Sequence, residues 1–153
     1  MLFTGHSDHT IDAKLRLAIP AKYRNQLDPQ KDGAAWFCVP WPGGILRLYT
    51  ERQFEALASR GDETLTPGED EADLEAQLFG FAERLETDGQ GRIAIPKGHL
   101  DLAKLASSEV VIVGAKNRLE VRDRGAWQVG QAERFAKLPS LVARIEAKRR
   151  TDA

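Results

Sequence analysis

Two acid–arginine pairs at the same four-residue spacing are the groups in this chain best suited to chemistry. Asp12 and Arg16 lie in Asp12-Ala13-Lys14-Leu15-Arg16-Leu17-Ala18-Ile19-Pro20, and Asp88 and Arg92 in Asp88-Gly89-Gln90-Gly91-Arg92-Ile93-Ala94-Ile95-Pro96. The copies align without gaps and start 76 residues apart, half of a 153-residue chain. On a tight turn, an Asp four residues before an Arg can hold the guanidinium in one orientation. An oriented guanidinium binds phosphate or guanine better than a loose one. Taken singly, each pair reads as a surface ion pair that clips its turn, worth roughly 0–1 kcal/mol. Taken together, two equivalent donors at fixed separation suit a partner with a repeating structure, such as duplex nucleic acid. Lys14 inside the first copy, and Lys22 and Arg24 just after it, can add phosphate contacts.

Other constellations offer less. His6 and His9 are three apart on a strand, point to opposite faces and do not chelate together. Gly5-His6-Ser7-Asp8-His9 lacks the closing Gly and preceding buried strand of a nucleophile elbow. Gly89-Gln90-Gly91-Arg92-Ile93-Ala94 has dinucleotide-fingerprint spacing but continues as a strand where that fingerprint opens a helix. Cys38, the single cysteine, rules out an intramolecular disulfide and reads as a buried thiol; His99 reads as a solvated or helix-start residue. No two titratable groups are set as acid and base or nucleophile and base, so neither catalysis nor a metal or cofactor is expected.

The elements that position the pairs follow from turn and strand signals. Asp bonds the backbone two residues on, and Gly89 and Gly91 accept positive φ, so each copy is a turn running into a strand that ends at Pro20 or Pro96. Residues 2–11 read as the strand entering the first turn. Ala21 to Leu27 suits a short helix with Tyr23 and Leu27 inward, ended by Asp28-Pro29. Two hairpins follow the same plan: Trp36–Val39 with Ile45–Tyr49, and Val110–Val113 with Leu119–Val121. Thr50 and Asp123 then serve as N-caps, with Phe54 and Trp127 as the first core anchors. After a polar loop at 58–68, an amphipathic helix is expected over 69–85, with Leu74, Leu78, Phe81 and Leu85 as its stripe and acids in its first turn. Residues 132–153 are helix-prone, interrupted at Pro139 and basic at Arg144, Lys148, Arg149 and Arg150, a charged terminus or a DNA-touching arm.

Asp-x-x-x-Arg, an apolar triplet and Pro, written twice in a chain that opens Met-Leu-Phe-Thr-Gly, resembles the MraZ family over residues 1–130. Those are bacterial transcriptional regulators of the division and cell-wall gene cluster, built from two SpoVT/AbrB-type domains. The usual family motif is Asp-x-Lys-Gly-Arg; here Leu15 replaces Gly in the first copy and Gln90 replaces Lys in the second. The resemblance implies an α+β fold in which two β-rich, AbrB-like units form one pseudo-dimeric swapped-hairpin barrel with flanking helices. It also implies a ring-like homo-oligomer on tandem promoter repeats.

The expected organisation is a first unit at 1–58, a linker and helix at 59–85, a second unit at 86–130 and a helical tail at 131–153. Units of this size are marginal alone, so they should pack together or within an oligomer. With 42% hydrophobic and 29% charged residues the chain is ordinary in composition. A net charge of −1 requires any nucleic-acid surface to be local. No apolar run approaches membrane-spanning length and no targeting segment is visible, so a cytoplasmic, nucleoid-associated location is expected. The leading expectation is sequence-specific binding of double-stranded DNA through Lys14, Arg16, Arg92, Lys22 and Arg24, with Asp12, Asp88, Gly89 and Gly91 orienting the turns. The alternative is a non-catalytic oligomeric module that binds a protein partner, as antitoxins do.

Overall fold

Hydrophobic alternation and the duplicated turns build two layers. The computed structural model describes residues 1–61 and 63–152. Its strands are β1 (His6–Thr10), β2 (Arg16–Ala18), β3 (Ala35–Trp41), β4 (Ile45–Thr50), β5 (Glu83–Glu86), β6 (Arg92–Ala94), β7 (Glu109–Gly114) and β8 (Leu119–Asp123). The helices are α1 (Ala21–Arg24), α2 (Pro29–Asp32), α3 (Glu51–Ala58), α4 (Glu69–Phe81), α5 (Lys97–Ala103), α6 (Arg124–Ala136) and α7 (Leu138–Asp152).

Six strands form one antiparallel sheet in the order β1-β7-β8-β4-β3-β5, and β2 and β6 form a separate two-stranded ribbon. Exchanging the halves, so that β1 becomes β5, β3 becomes β7 and β4 becomes β8, returns the same order read backwards. The entering strand of each half pairs with the hairpin of the other: His6 faces Val113, and Trp36 faces Leu85. At the centre β4 pairs with β8, with Arg47 opposite Glu120. The α+β class is thus observed, but the expected closed barrel is not found. The sheet stays open because the Asp turns and the prolines carry β2 and β6 out of its plane, leaving β1 and β5 as its edges.

The β2–β6 ribbon and α5 cover one face of the sheet. Leu17, Ile19, Ile93 and Ile95 from the ribbon join Trp36, Cys38, Leu46, Leu48, Ile112 and Val121 from the sheet in one buried cluster. Phe3 and Tyr23 meet edge to face at 5.4 Å, and the Tyr23 hydroxyl donates to the Thr4 carbonyl at 2.9 Å, tying α1 to the N-terminal segment. Thr50 and Asp123 cap α3 and α6 through Gln53 N–H and Ala126 N–H. Phe54 stacks on Phe37 at 4.4 Å and Trp127 sits between Arg122 and Arg134, but both expected core anchors are only half-buried and neither joins the core cluster.

Several expected elements differ in extent. The helix expected over 69–85 ends at Phe81, and Leu85 lies on β5; Ala82 is extended and breaks the helix. Leu74 and Phe81 of the expected stripe stay exposed. The helix after the first motif stops at Arg24, and Asp28 caps a second short helix instead of only ending the first. In the tail the break falls at Lys137, so Pro139 sits in the first turn of α7, where its missing N–H costs nothing.

Candidate nucleic-acid interface

Each motif turn is held by one carboxylate doing three jobs. Asp12 Oδ1 accepts the N–H of Lys14 at 2.9 Å and of Arg16 at 2.8 Å, while Oδ2 accepts Arg16 Nε at 2.8 Å. Asp88 repeats this with Gln90 N–H at 2.8 Å, Arg92 N–H at 3.0 Å and Arg92 Nε at 2.8 Å. The Arg16 backbone N–H above all, and then the hydrogen bonds from the Arg16 side chain and Lys14 N–H, hold the Asp12 carboxyl below its ordinary value against the effect of desolvation. Asp88 is lowered in the same way, led by the Arg92 N–H. Both carboxylates therefore stay charged at neutral pH and keep their arginines oriented.

Such turns need one residue with positive φ. Gly91 takes it at 75° in the second copy and Leu15 at 61° in the first. Gly89 was expected to share that duty but does not have positive φ, and a Cβ placed on it meets nothing within 4 Å. Its counterpart Ala13 shows why glycine is dispensable there.

The strands leaving the turns meet each other. Arg16 pairs with Ala94, Leu17 with Ile93 and Ala18 with Arg92, and Ile19 N–H and Ile95 N–H reach across to the carbonyls of Gly91 and Leu15. Alternation then sorts the faces. Leu17 and Ile93 are fully buried inward, and Ala18 and Ala94 are exposed outward beside Arg16 and Arg92. The Arg16 side chain is 33% exposed and that of Arg92 25%. With each Nε clamped by its Asp, the Nη groups make no hydrogen bond among the described residues. Diagonal positions on a ribbon are about 7–8 Å apart, roughly two base steps of DNA at 3.4 Å.

The remaining expected residues fall in different places. Lys14 is exposed on the first turn. Lys22 is exposed with its Nζ over the Tyr23 ring at 4.8 Å. Arg24 donates Nε to the Ile19 carbonyl at 2.8 Å and packs so closely over Gly91 that a Cβ there would lie 2.6 Å from Nε. It thus borders the second turn, lining a groove with Asp88 and Gly89.

Three arrangements escaped the sequence reading. Ala18 and Ala94 complete the outward ribbon face, a role visible only once β2 and β6 are paired. Glu120 is 3% exposed and meets Arg122 at 2.6 Å, Arg118 at 2.9 Å and Arg47 at 3.7 Å. Burial raises its pKa, but Arg122 and Arg118 together outweigh that and hold it below 4.5. The alternation Arg118-x-Glu120-x-Arg122 was the available signal. His99, read as a solvated or helix-start residue, does lie in the first turn of α5 but is buried, with Nδ1 3.3 Å from Cys38 Sγ, because α5 packs against β3. Desolvation lowers His99 and pushes the Cys38 thiol up to about 12.

Comparison with known proteins places this geometry in a family. The family model described as "MraZ protein, putative antitoxin-like" matches residues 78–148. A protein of Pseudomonas syringae pv. syringae (strain B728a) called transcriptional regulator MraZ is 32% identical over 126 residues, covering 82% of this chain and 83% of that protein. One of the same name from Shewanella oneidensis is 31% identical over 126 residues, covering 82% of each. With identity and coverage at these levels, the chain belongs to the MraZ family.

Proposed function

We propose that this chain is a transcriptional regulator that binds double-stranded DNA through the outward face of the β2–β6 ribbon. The observation that carries the reading is that both motif arginines share that face, each held at Nε and making no hydrogen bond at Nη among the described residues. A two-stranded ribbon fits the major groove, where an arginine pairs bidentately with the O6 and N7 of guanine. Ala18 and Ala94 keep the ribbon surface low between the arginines, and a methyl group there can meet that of thymine. Lys14 on the first turn, Arg24 beside the second and Lys22 on α1 would serve phosphates. The reciprocal strand pairing supports a pseudo-dimer of exchanged hairpins, and it gives the ribbon a two-fold character.

One ribbon reaches few base pairs, so the reading includes several copies engaging repeated promoter elements, with affinity multiplied by effective concentration. The names of the relatives support regulation of transcription; the turn chemistry supports DNA as the ligand. The test is binding of duplexes selected from a random pool. Arg16→Ala and Arg92→Ala should each weaken binding by about 1–3 kcal/mol, or roughly 5–150-fold, if they read bases. Unchanged affinity in both would remove the ribbon from the interface. Stable capture of one protein partner with no DNA shift would instead favour the protein-binding module.

A further inference from the structure

The two halves of the chain differ at one end of the sheet. By strand register Trp36 matches Val110, Tyr49 matches Arg122 and Phe54 matches Trp127, and the motif spacing matches Asp28 with Lys104. In the first half α1 is followed by α2, which packs against α3. In the second half the span from Lys104 to Val110 is two residues shorter than that from Asp28 to Trp36, and it holds no helix. A cavity of about 520 Å3 opens there, between the end of α5, the turn at Pro42-Gly43-Gly44 and α6. That volume suits a small organic ligand. Three cations line it, Lys104, Arg122 and Arg134, against one carboxylate, Asp123, which accepts Ala126 N–H at 2.8 Å as the cap of α6. Glu120 fixes Arg122 by accepting its Nε at 3.0 Å and its Nη2 at 2.6 Å, and Arg134 lies over the Trp127 ring at 4.5 Å. Lys104 makes no ion pair among the described residues and holds φ of 57° at a helix end where glycine is the usual residue. Trp127 Nε1–H is buried with no acceptor among the described residues. The first half has Asp28, Tyr49 and Phe54 where the second has Lys104, Arg122 and Trp127, so this positive charge belongs to the second half alone.

We propose that this cavity binds a small aromatic anion, a flat apolar body carrying one carboxylate or phosphate. The body lies against Pro42 and Leu102, the latter 53% exposed at the rim. The anionic oxygens take the Lys104 ammonium and the Arg134 guanidinium, while Arg122, partly neutralised by Glu120, borders them as a fixed donor. An oxyanion that draws Arg134 off the indole also uncovers Trp127 Nε1–H, which then gains the acceptor it lacks. A ligand cation would meet three like charges, and a neutral aromatic would cover those charges without supplying a counter-ion. Asp123 is the one group that opposes an anion, and the Ala126 N–H already occupies one of its oxygens. The cavity shares no lining residue with the Asp12 and Asp88 turns, so binding there neither rests on the DNA-binding reading nor stands or falls with it.

The test is titration of the full chain, labelled with fluorotryptophan, with naphthoate, naphthyl phosphate and the neutral naphthalenemethanol, followed by fluorine NMR. The chain has three tryptophans, and Trp127→Phe identifies the signal of Trp127. At least one of the two anions should bind saturably with a Kd of about 1 mM or below, and the neutral alcohol about tenfold more weakly. Binding should shift the Trp127 signal and leave that of buried Trp36 in place. The tighter of the two anions identifies the head group. Lys104→Gly removes the ammonium and puts the favoured residue at a positive φ, so the fold is preserved, and Arg134→Gln changes an exposed side chain. Each should weaken anion binding about tenfold, a charge-assisted contact being lost, and leave binding of the alcohol unchanged. Equal affinity for the anions and the alcohol, a shift that spares Trp127, or anion binding unchanged in both variants overturns the proposal. So does failure of both anions to bind up to about 10 mM.

Discussion

The two motif copies should respond in opposite ways to the residue at the positive-φ corner of the turn. Gly91 has φ of 75°, and a Cβ added to it would lie 2.6–2.8 Å from Nε, Cδ and Cζ of Arg24. Gly91→Ala therefore carries a left-handed backbone cost of about 1–2 kcal/mol. It also displaces Arg24 from the Ile19 carbonyl, losing a hydrogen bond worth about 0.5–1.5 kcal/mol net. The sum is a destabilisation of about 1.5–3.5 kcal/mol, or a fall of about 3–14 °C in Tm for a chain of this size. Leu15 already sits at φ 61° and packs partly against the core. In Leu15→Gly the backbone relief of about 1–2 kcal/mol is offset by roughly 1 kcal/mol of lost burial and about 0.4–1 kcal/mol of added unfolded-state entropy. Its stability should stay within about 1 kcal/mol of the parent. Urea unfolding at one fixed chain concentration measures both, since assembly would otherwise shift the midpoint. A neutral Gly91→Ala, or a loss above about 2 kcal/mol in Leu15→Gly, would refute this account of the turns.

Other consequences follow from the buried polar groups. Glu120→Gln should destabilise by about 2–3 kcal/mol, less than the 3–5 typical of a fully buried pair because its arginine partners keep partial access to water, as denaturant titration will show. The folded pKa of Glu120 lies below 4.5, so its contribution is full above that value and is lost as pH falls through the folded pKa; the variant should show a shallower acid loss. His99 and His9 are both lowered from 6.5 by desolvation, so below pH 6.5 the unfolded chain takes up protons that the folded chain refuses. Stability should be level with respect to these two groups above 6.5 and decline as pH drops below it, and replacing both histidines by Gln should flatten that segment of the curve. Cys38, buried with its thiol at about 12, should resist alkylation in the native protein and react at a rate set by unfolding, readable by mass spectrometry.

How far the sequence foretold these features depends on the range of the interactions behind them. Local chemistry was legible: the Asp turns, the alternating strands, the N-caps at Thr50 and Asp123 and the helix start at Pro96 each depend on residues within four positions. The partner of each strand was not, because β2 finds β6 across 76 residues and nothing near either strand names the other. The outward role of Ala18 and Ala94 and the burial of His99 were hidden for the same reason. Leu15 is the instructive departure. Read alone, a leucine at a glycine position suggests a weakened turn, yet three backbone and side-chain hydrogen bonds to Asp12 hold the turn in place. The counterpart of Arg24 at the other turn is Leu100, which with Leu15 packs partly against the core, so an apolar pair stands where the second turn uses Gly91 and Arg24.

That exchange bears on how the ribbon would meet DNA. The two guanidinium groups are held alike, but the second turn has the cation Arg24 beside it and the first has apolar Leu100 at the matching position, with Lys14 on the turn itself where the second has Gln90. Each turn therefore has one supplementary cation, supplied by a different element: the turn itself in the first copy and α1 in the second. If phosphates are engaged at both ends of the ribbon, Lys14→Gln and Arg24→Leu should each reduce the salt slope of DNA binding by about one unit. Their effects should add, because they act at opposite ends. A loss confined to Lys14→Gln would mean that Arg24 serves only to pack Gly91, and that the ribbon meets DNA with one end.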